Sequence, residues 1–349
     1  MSTGGARKRL IGPEAIELAP RVVDPVASTE DELLRSSLRP RSFEEYVGQR
    51  AVVESLTISI AAAKKRGEPL EHILFYGPPG LGKTTLASLI ARELGAALRP
   101  TSGPTIEKPK DIVGVLTALE AGDVLFIDEI HRLGRVVEEF LYPAMEDFQI
   151  DFIVDRGAYA KTIKLPLKPF TLVGATTRAG MLSGPLRDRF GLRHHMDYYV
   201  ETDLVAIITR SAQQLEVPIS PSAAALIARC SRGTPRIANR LLRRVRDFAQ
   251  VCADGAIELD LARESLRREG IDAAGLDRLD RAFLRTIAEQ YRGGPVGLAA
   301  VAASLSEDAE TLEDVVEPFL LQRGLLMRTA TGRKLTPAAH EHLEQSAET

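Results

Sequence analysis

Apolar residues follow two rhythms along this chain, and the rhythm changes near residue 200. From Leu38 to Tyr198, short continuous apolar runs, HILFY (72–76), DVLFID (123–128) and FTLVGAT (170–176), alternate with helix-length amphipathic stretches. Short runs without polar alternation are those of strands covered on both faces, so the pattern predicts a mostly parallel sheet with helices packed against it. From 199 to 270 the strand-like runs stop. Helical segments such as SAAALIARCS and PRIANRLLRRVRDFAQV remain, with Gly233 and Pro235 marking a break before the second. Beyond Gly270 the stretches LDRAFLRTIAEQY, LAAVAASLS and TLEDVVEPFLLQRG lead into LLMRTATGRKLT, two β-like arms about a TATG turn. Helix, helix, helix, hairpin is the order of a winged helix. The first 37 residues mix Pro, Gly, Ser and acids without a steady apolar period and read as a disordered tail. The predicted organisation is an α/β chain with a tail at 1–37, a parallel-sheet domain at 38–198, a helical lid at 199–270 and a winged helix at 271–349.

Composition narrows the setting. A chain of 349 residues exceeds one ordinary core, in keeping with several domains. No apolar run approaches the roughly 20 residues of a membrane span, and the N-terminus has no apolar stretch after its basic residues, so a cytoplasmic protein is expected. Cys230 and Cys252 form no CxxC pair, which supports neither a disulfide framework nor a thiolate metal site; both are expected to be reduced and buried. The net charge of -3 argues against tail-like nucleic-acid binding, yet two local runs are purely basic. Six arginines and no acid lie between Arg232 and Arg246, and four basic residues and no acid between Arg323 and Lys334. Either run taken alone reads first as a solvated face.

GPPGLGKT (77–84) follows the apolar ILFY and precedes the helical LASLIARELG, the context of a phosphate-cradling loop. Glycines such as Gly80 and Gly82 let main-chain N–H groups close on phosphates without a Cβ in the way, and the helix N-terminus adds its positive dipole end. Lys83 would reach the β and γ phosphates of ATP, Thr84 would offer a hydroxyl to Mg²⁺, and Thr85 continues the nucleotide-binding turn. Asp128 and Glu129 end the apolar strand DVLFID, where open parallel sheets place ligand-facing groups. Asp128 suits the metal and its water shell, and Glu129 suits the water that attacks the γ-phosphate. In GATTRAG, Thr176 and Thr177 are candidates for a polar sensor between the central strands, and Thr177 is the choice. In the lid, RGTPRIANR puts Arg236 at a helix start, where it could close on the γ-phosphate.

Together LRPRSFEEYVGQ, GPPGLGKTTLA, TSGP, IEKP, DVLFIDEIHRL, YPAMEDF, GATTRAG, PLRDRFG and RGTPRIANRLLRRVRDFA resemble the AAA+ ATPases and, within them, the RuvB family of Holliday-junction branch-migration motors. The likeness runs from Leu38 to about Arg333. It implies an AAA+ P-loop ATPase core, a helical lid and a C-terminal winged helix that binds DNA, assembled as a homohexameric ring that uses ATP and Mg²⁺. It implies work on duplex arms of a four-way junction in recombination and repair, with RuvA and RuvC as partners. By this resemblance Arg189 in PLRDRFG is an arginine finger for a neighbouring subunit's ATP, while Arg187 and Asp188 hold its loop; a local ion-pair knot of the three is the plainer alternative. Leu38 and Arg39 would receive the adenine and ribose side, Tyr199 would pack near the nucleotide, and Glu146, Asp147 and Phe148 would line the nucleotide-bearing boundary.

The wing carries Arg328 and Arg333 on either side of its turn, placed for phosphate contacts that carry no sequence information. It reads RTATGRKLT where relatives commonly carry a further arginine, and Lys110 stands where such loops usually have glycine. Residues 149–170 alternate about the turn DRGAYA and read as a hairpin protruding from the core, the element by which this family docks RuvA. A clamp-loader-like ATPase, a protein unfoldase and an ATP-switched transcriptional regulator are the rival classes. The unfoldase would need an aromatic-hydrophobic-Gly pore loop, and no convincing one is present.

Overall fold

The computed structural model describes residues 38–153 and 162–347. The predicted tail and the hairpin turn DRGAYA lie outside the described residues. Residues 1–39 and 40–349 form separate compact units, and only Leu38 and Arg39 of the first are described.

Within the second unit, α1 (Arg50–Arg66) leads to β1 (Ile73–Tyr76), α2 (Lys83–Leu94), β2 (Leu98–Ser102), α3 (Pro109–Thr117), β3 (Val124–Asp128) and α4 (Arg135–Glu146). A hairpin of β4 (Gln149–Ile153) and β5 (Thr162–Pro166) precedes β6 (Thr171–Thr176), the short α5 (Gly184–Asp188) and β7 (Leu192–His195). The main sheet has the order β2-β3-β6-β1-β7 and is parallel throughout. β4 and β5 pair antiparallel as a separate ribbon, Gln149 opposite Pro166. Lys110 is exposed in the first turn of α3, so nothing there requires the glycine of relatives.

Strand alternation explains why the apolar runs are continuous. Ile73 and Phe75, Val124 and Phe126, and Val173 and Ala175 join one core, while Leu74, Leu125, Ile127 and Leu172 join the other. Successive side chains leave opposite faces of a strand, and here both faces are covered. The first core does not stop at the sheet. It continues through Leu204, Ile207, Ile227, Leu241 and Val245 of the lid helices α6 (Glu201–Gln214), α7 (Pro221–Arg229) and α8 (Pro235–Cys252), which α9 (Leu259–Arg268) completes. Sheet and lid therefore share apolar packing. Cys230 is buried as expected, but Cys252 is exposed: it is the last residue of α8, beyond its buried stripe of Leu241, Leu242, Val245 and Ala249.

The C-terminal part has its own core around Phe283, Ile287, Val301, Leu312, Leu320 and Leu335. It contains α10 (Arg278–Gln290), α11 (Leu298–Leu305), a third helix over 309–322, and the wing strands β8 (Leu326–Thr329) and β9 (Gly332–Leu335), paired antiparallel, before α12 (Pro337–Ala347). The third helix is not uniform. Leu312–Val316 forms a wider π-type turn just before Pro318, whose missing N–H cannot close an ordinary helical hydrogen bond.

Lid and winged helix meet at Arg232, whose Nη2 lies 2.9 Å from Asp277 and 2.5 Å from Asp280. Burial pushes the Asp280 carboxyl up to about 7, against the pull of Arg232 and helped by the nearby Asp277. Two carboxylates share one guanidinium, and burial favours the neutral form of the inner one. Its folded value lies above the unfolded value of about 3.9, so the contribution to stability is complete at low pH and fades as pH rises toward 7. Wild-type stability is expected to fall between pH 5 and 7, by up to about 1.4 kcal/mol per pH unit, relative to Asp280→Asn. Denaturant midpoints of the two proteins that ran parallel across this range would contradict it.

Candidate functional site

The loop from β1 to α2 turns through Gly77, Gly80 and Gly82, all at positive φ (139°, 82° and 102°). At Gly82 a Cβ would sit 2.6 Å from Tyr46 Oη, and at Gly80 one would sit 3.1 Å from Arg236 Cβ. The loop is thus walled by its neighbours as well as by its own conformation. Lys83, the first residue of α2, is buried, and its Nζ donates to the carbonyls of Gly77 (2.7 Å) and Pro78 (2.8 Å). Burial lowers the Lys83 pKa, and Glu129 and Asp128 oppose that shift. Thr84 and Thr85 follow, half-buried in the first turn of α2.

The sheet order brings the other predicted groups to this loop. β6 lies between β3 and β1, so Thr176 stands opposite Tyr76, and the Gly77 N–H donates to the Thr176 carbonyl at 3.2 Å. Asp128 ends β3, its Oδ1 accepting the Glu129 N–H at 3.0 Å. Burial raises the Asp128 pKa; among the opposing influences are Lys83 and Arg236, so both cations act on this carboxylate. Glu129 adopts left-handed backbone (φ 47°), which turns its side chain across to β6. Its Oε2 accepts from Thr177 Oγ1 (3.1 Å) and Thr177 N (3.3 Å).

His131 also lies 3.2 Å from Glu129 Oε2 and shares a 2.9 Å hydrogen bond with the fully buried Thr176 hydroxyl. Burial lowers the His131 pKa, with Glu129 acting the other way. Sequence reasoning passed over His131, although its place two residues past Glu129 in DEIH was the available signal. Tyr46 was missed as well. The Tyr199 hydroxyl donates to Tyr46 Oη (3.0 Å) and lies 3.3 Å from the Leu81 carbonyl, so both rings brace the phosphate loop; burial holds Tyr199 at about 12. Arg236 reaches the loop through its backbone, N–H to Gly80 O at 3.4 Å. Of the six-arginine run, Arg236 meets the loop and Arg232 the winged helix. Leu38 and Arg39 belong to the separate N-terminal unit.

Arg189 stands in a different group. Its guanidinium lies 4.3 Å from the Tyr142 ring centroid, pairs with Glu146 at 3.1 Å and donates to the Pro185 carbonyl at 2.8 Å. Asp188 instead faces Arg193 at 3.8 Å, and Asp147 accepts from the Gln149 amide at 3.1 Å. Phe148 packs edge-on against Phe170. Of the three predicted neighbours of the nucleotide from Glu146 to Phe148, Glu146 is the one that contacts Arg189. In the wing, Arg328 and Arg333 are directly opposed across the strands and both bind the fully buried Glu317, each at 2.5 Å. Arg328 stays half-exposed, whereas Arg333 is mostly covered.

Three consecutive segments match known domains of one family: residues 38–196 the Holliday junction DNA helicase RuvB P-loop domain, 199–272 the RuvB AAA lid domain and 273–344 the RuvB C-terminal winged helix domain. A Chloroflexus aurantiacus relative, the Holliday junction branch migration complex subunit RuvB, is 55% identical over 325 residues, covering 93% of each chain. The chain belongs to the RuvB family. The solved structure of the Thermotoga maritima RuvB Holliday junction branch migration motor is 52% identical with a TM-score of 0.79, covering 88% of this chain and 98% of that one. A mutant of the same motor gives a TM-score of 0.80 at 52% identity and the same coverage. The expected fold class, a P-loop core with parallel sheet, lid and winged helix, is that of the RuvB family.

In a RuvB P-loop the wall set by Tyr46 makes a specific demand. Gly82→Ala adds a Cβ both at a left-handed position, about 1–2 kcal/mol of strain, and against Tyr46 Oη. Nucleotide affinity is expected to drop roughly tenfold, with the far-UV circular dichroism unchanged. A fluorescent-nucleotide titration giving wild-type affinity would show that the loop tolerates the side chain.

Proposed function

We propose that this chain is an ATP-driven DNA translocase that moves Holliday junctions during homologous recombination and DNA repair. In this reading it works in the cytoplasm as a homohexameric ring around duplex DNA, loaded by RuvA through the 149–170 hairpin and acting with the RuvC resolvase. One observation carries the reading. The chain presents a cradle with Lys83, Asp128, Glu129 and Thr177 at one sheet edge, while Arg189 is held by Tyr142, Glu146 and Pro185 instead of by that cradle. An arginine kept ready on another group is suited to a second copy's nucleotide.

The residues divide the chemistry as follows. Main-chain N–H groups from Gly80 to Thr85 and the Lys83 ammonium bind the phosphates, for which Lys83 must leave the Gly77 and Pro78 carbonyls. Glu129 orients the attacking water and draws its proton, which requires its carboxylate to exchange Thr177 for that water. Thr177 senses the same region, and Arg236 closes from the lid. Leu38, Arg39 and Tyr199 take the adenine and ribose side, and Glu146, Asp147 and Phe148 border the neighbour. Arg189 neutralises charge developing on the adjacent subunit's γ-phosphate, a contribution of about 10³ to 10⁵ in rate in systems of this kind.

Asp128 and Thr84 fit Mg²⁺. Burial disfavours the charged form of Asp128, a cost that a dication reverses. No cluster of three or more acidic, His or Cys ligands occurs among the described residues, in keeping with an ion bound mainly through phosphates and water. Held by Asp128 and Thr84, Mg²⁺ would supply neutralisation of the phosphate charge.

DNA meets the wing through Arg328 and Arg333, with Glu317 fixing their spacing. The third winged helix, which in many such folds enters a groove, carries the exposed Glu310, Glu313 and Asp314 and would repel phosphates. That contrast favours backbone contact by the wing. The direct test is ATP-dependent dissociation of a synthetic four-way junction, with and without RuvA. Wild type should dissociate it and Glu129→Gln should bind ATP yet leave the junction intact; a junction unaffected by wild type with RuvA and ATP would refute the motor reading.

A further inference from the structure

The loop after β6 carries a charged side chain that ATP chemistry does not use. Thr176, Thr177 and Arg178 are consecutive, and each is tied to something different. The buried Thr176 hydroxyl accepts the Arg178 N–H at 3.0 Å and bonds His131 at 2.9 Å. Thr177 holds Glu129 through both its N–H and its hydroxyl. The Arg178 guanidinium lies between Glu310 (2.7 Å) and Asp314 (2.5 Å) of the third winged helix. One trans peptide, about 3.8 Å between Cα atoms, separates the residue on Glu129 from the residue on the winged helix.

That helix is gripped a second time from the lid. Arg232 lies 4.8 Å from the Phe319 ring centroid, donates to the Val315 carbonyl at 3.3 Å, and pairs with Asp277 and Asp280. The two grips differ in kind. Arg232 is 13% exposed and Asp280 fully buried, so breaking that contact would strand a charge in the interior. Arg178, Glu310 and Asp314 are 36%, 66% and 51% exposed, and ion pairs of that exposure contribute little net stability. The first contact is a permanent mount, and the second can be made and broken at small cost.

We propose that Arg178 is a positioning residue that couples the DNA-binding unit to the ATP site, with the acidic third helix serving as a dock for the β6 loop instead of as a groove reader. When Glu129 exchanges Thr177 for water, the β6 loop shifts, and Arg178 carries that shift to Glu310 and Asp314. In the reverse direction, DNA pulling on the wing biases the loop that holds Glu129. The inference rests on the DNA-motor reading above.

The test compares ATP turnover with and without four-way-junction DNA in full-length wild type, Arg178→Ala, Glu310→Gln with Asp314→Asn, and the combination of all three changes, with nucleotide affinity measured in parallel. Stimulation by DNA is expected to fall about fivefold or more, the lower end of usual coupling between sites, equally in both partial variants and no further in the combination. Nucleotide affinity should not change. Wild-type stimulation in Arg178→Ala, additive losses in the combination, or loss of nucleotide binding in Arg178→Ala, the mark of a merely structural role, would each overturn the inference. Wild type that ignores DNA would instead sink the motor reading itself.

Discussion

Three neighbouring parallel strands constrain everything else in this chain. Because β6 sits between β3 and β1, their C-terminal ends deliver Glu129, Thr177 and the Lys83 loop side by side, joined by the Gly77 to Thr176 hydrogen bond and by the Thr177 contacts on Glu129. The geometry does not depend on any single side chain. It follows from apolar strands covered on both faces, whose alternating residues feed two separate cores and fix the register by burial. A one-residue slip of β6 would put Val173 and Leu172 on the wrong faces and move Thr177 off Glu129.

The charges at this edge, in the Arg189 group and in the wing are held in waiting. Lys83 is occupied by two carbonyls, Glu129 by Thr177 and His131, Arg189 by Tyr142 and Glu146, and the wing arginines by Glu317. Buried or partly buried charges without partners are costly, so each keeps an internal partner until a ligand offers something better. On the proposed reading, ATP, a neighbouring subunit and DNA each replace one of these internal partners.

Much of the fold could be read from the sequence, for identifiable reasons. β1, β3 and β6 stand out because both faces are buried, and the lid helices because their apolar stripes recur at helical spacing. The C-terminal helix Pro337–Ala347 was not anticipated, since PAAHEHLEQSA has few apolar residues and no clear stripe. The break in the third winged helix follows from Pro318, yet TLEDVVEPFLLQRG reads as continuous because its apolar period is unbroken. In the site, the residues of the phosphate loop and the DE pair announce themselves by spacing. His131, Tyr46 and Glu317 do not, because their importance lies in what they touch: Thr176, 45 positions from His131; Tyr199, 153 positions from Tyr46; and Arg333, 16 positions from Glu317. The same holds for Arg178 and the acids of the third helix, separated by 132 and 136 positions and meaningful only as a pair.

The central claim is that one catalytic centre needs groups from two copies of this chain: the Glu129 edge of one and the Arg189 group of the next. Subunit mixing measures this most directly. Glu129→Gln and Arg189→Ala should each hydrolyse ATP far more slowly than wild type when alone, and an equal mixture under ring-forming conditions should recover a substantial part of the turnover, because some interfaces then pair an intact Glu129 with an intact Arg189. A mixture no more active than its components, although the two proteins are shown to assemble together, would contradict the account.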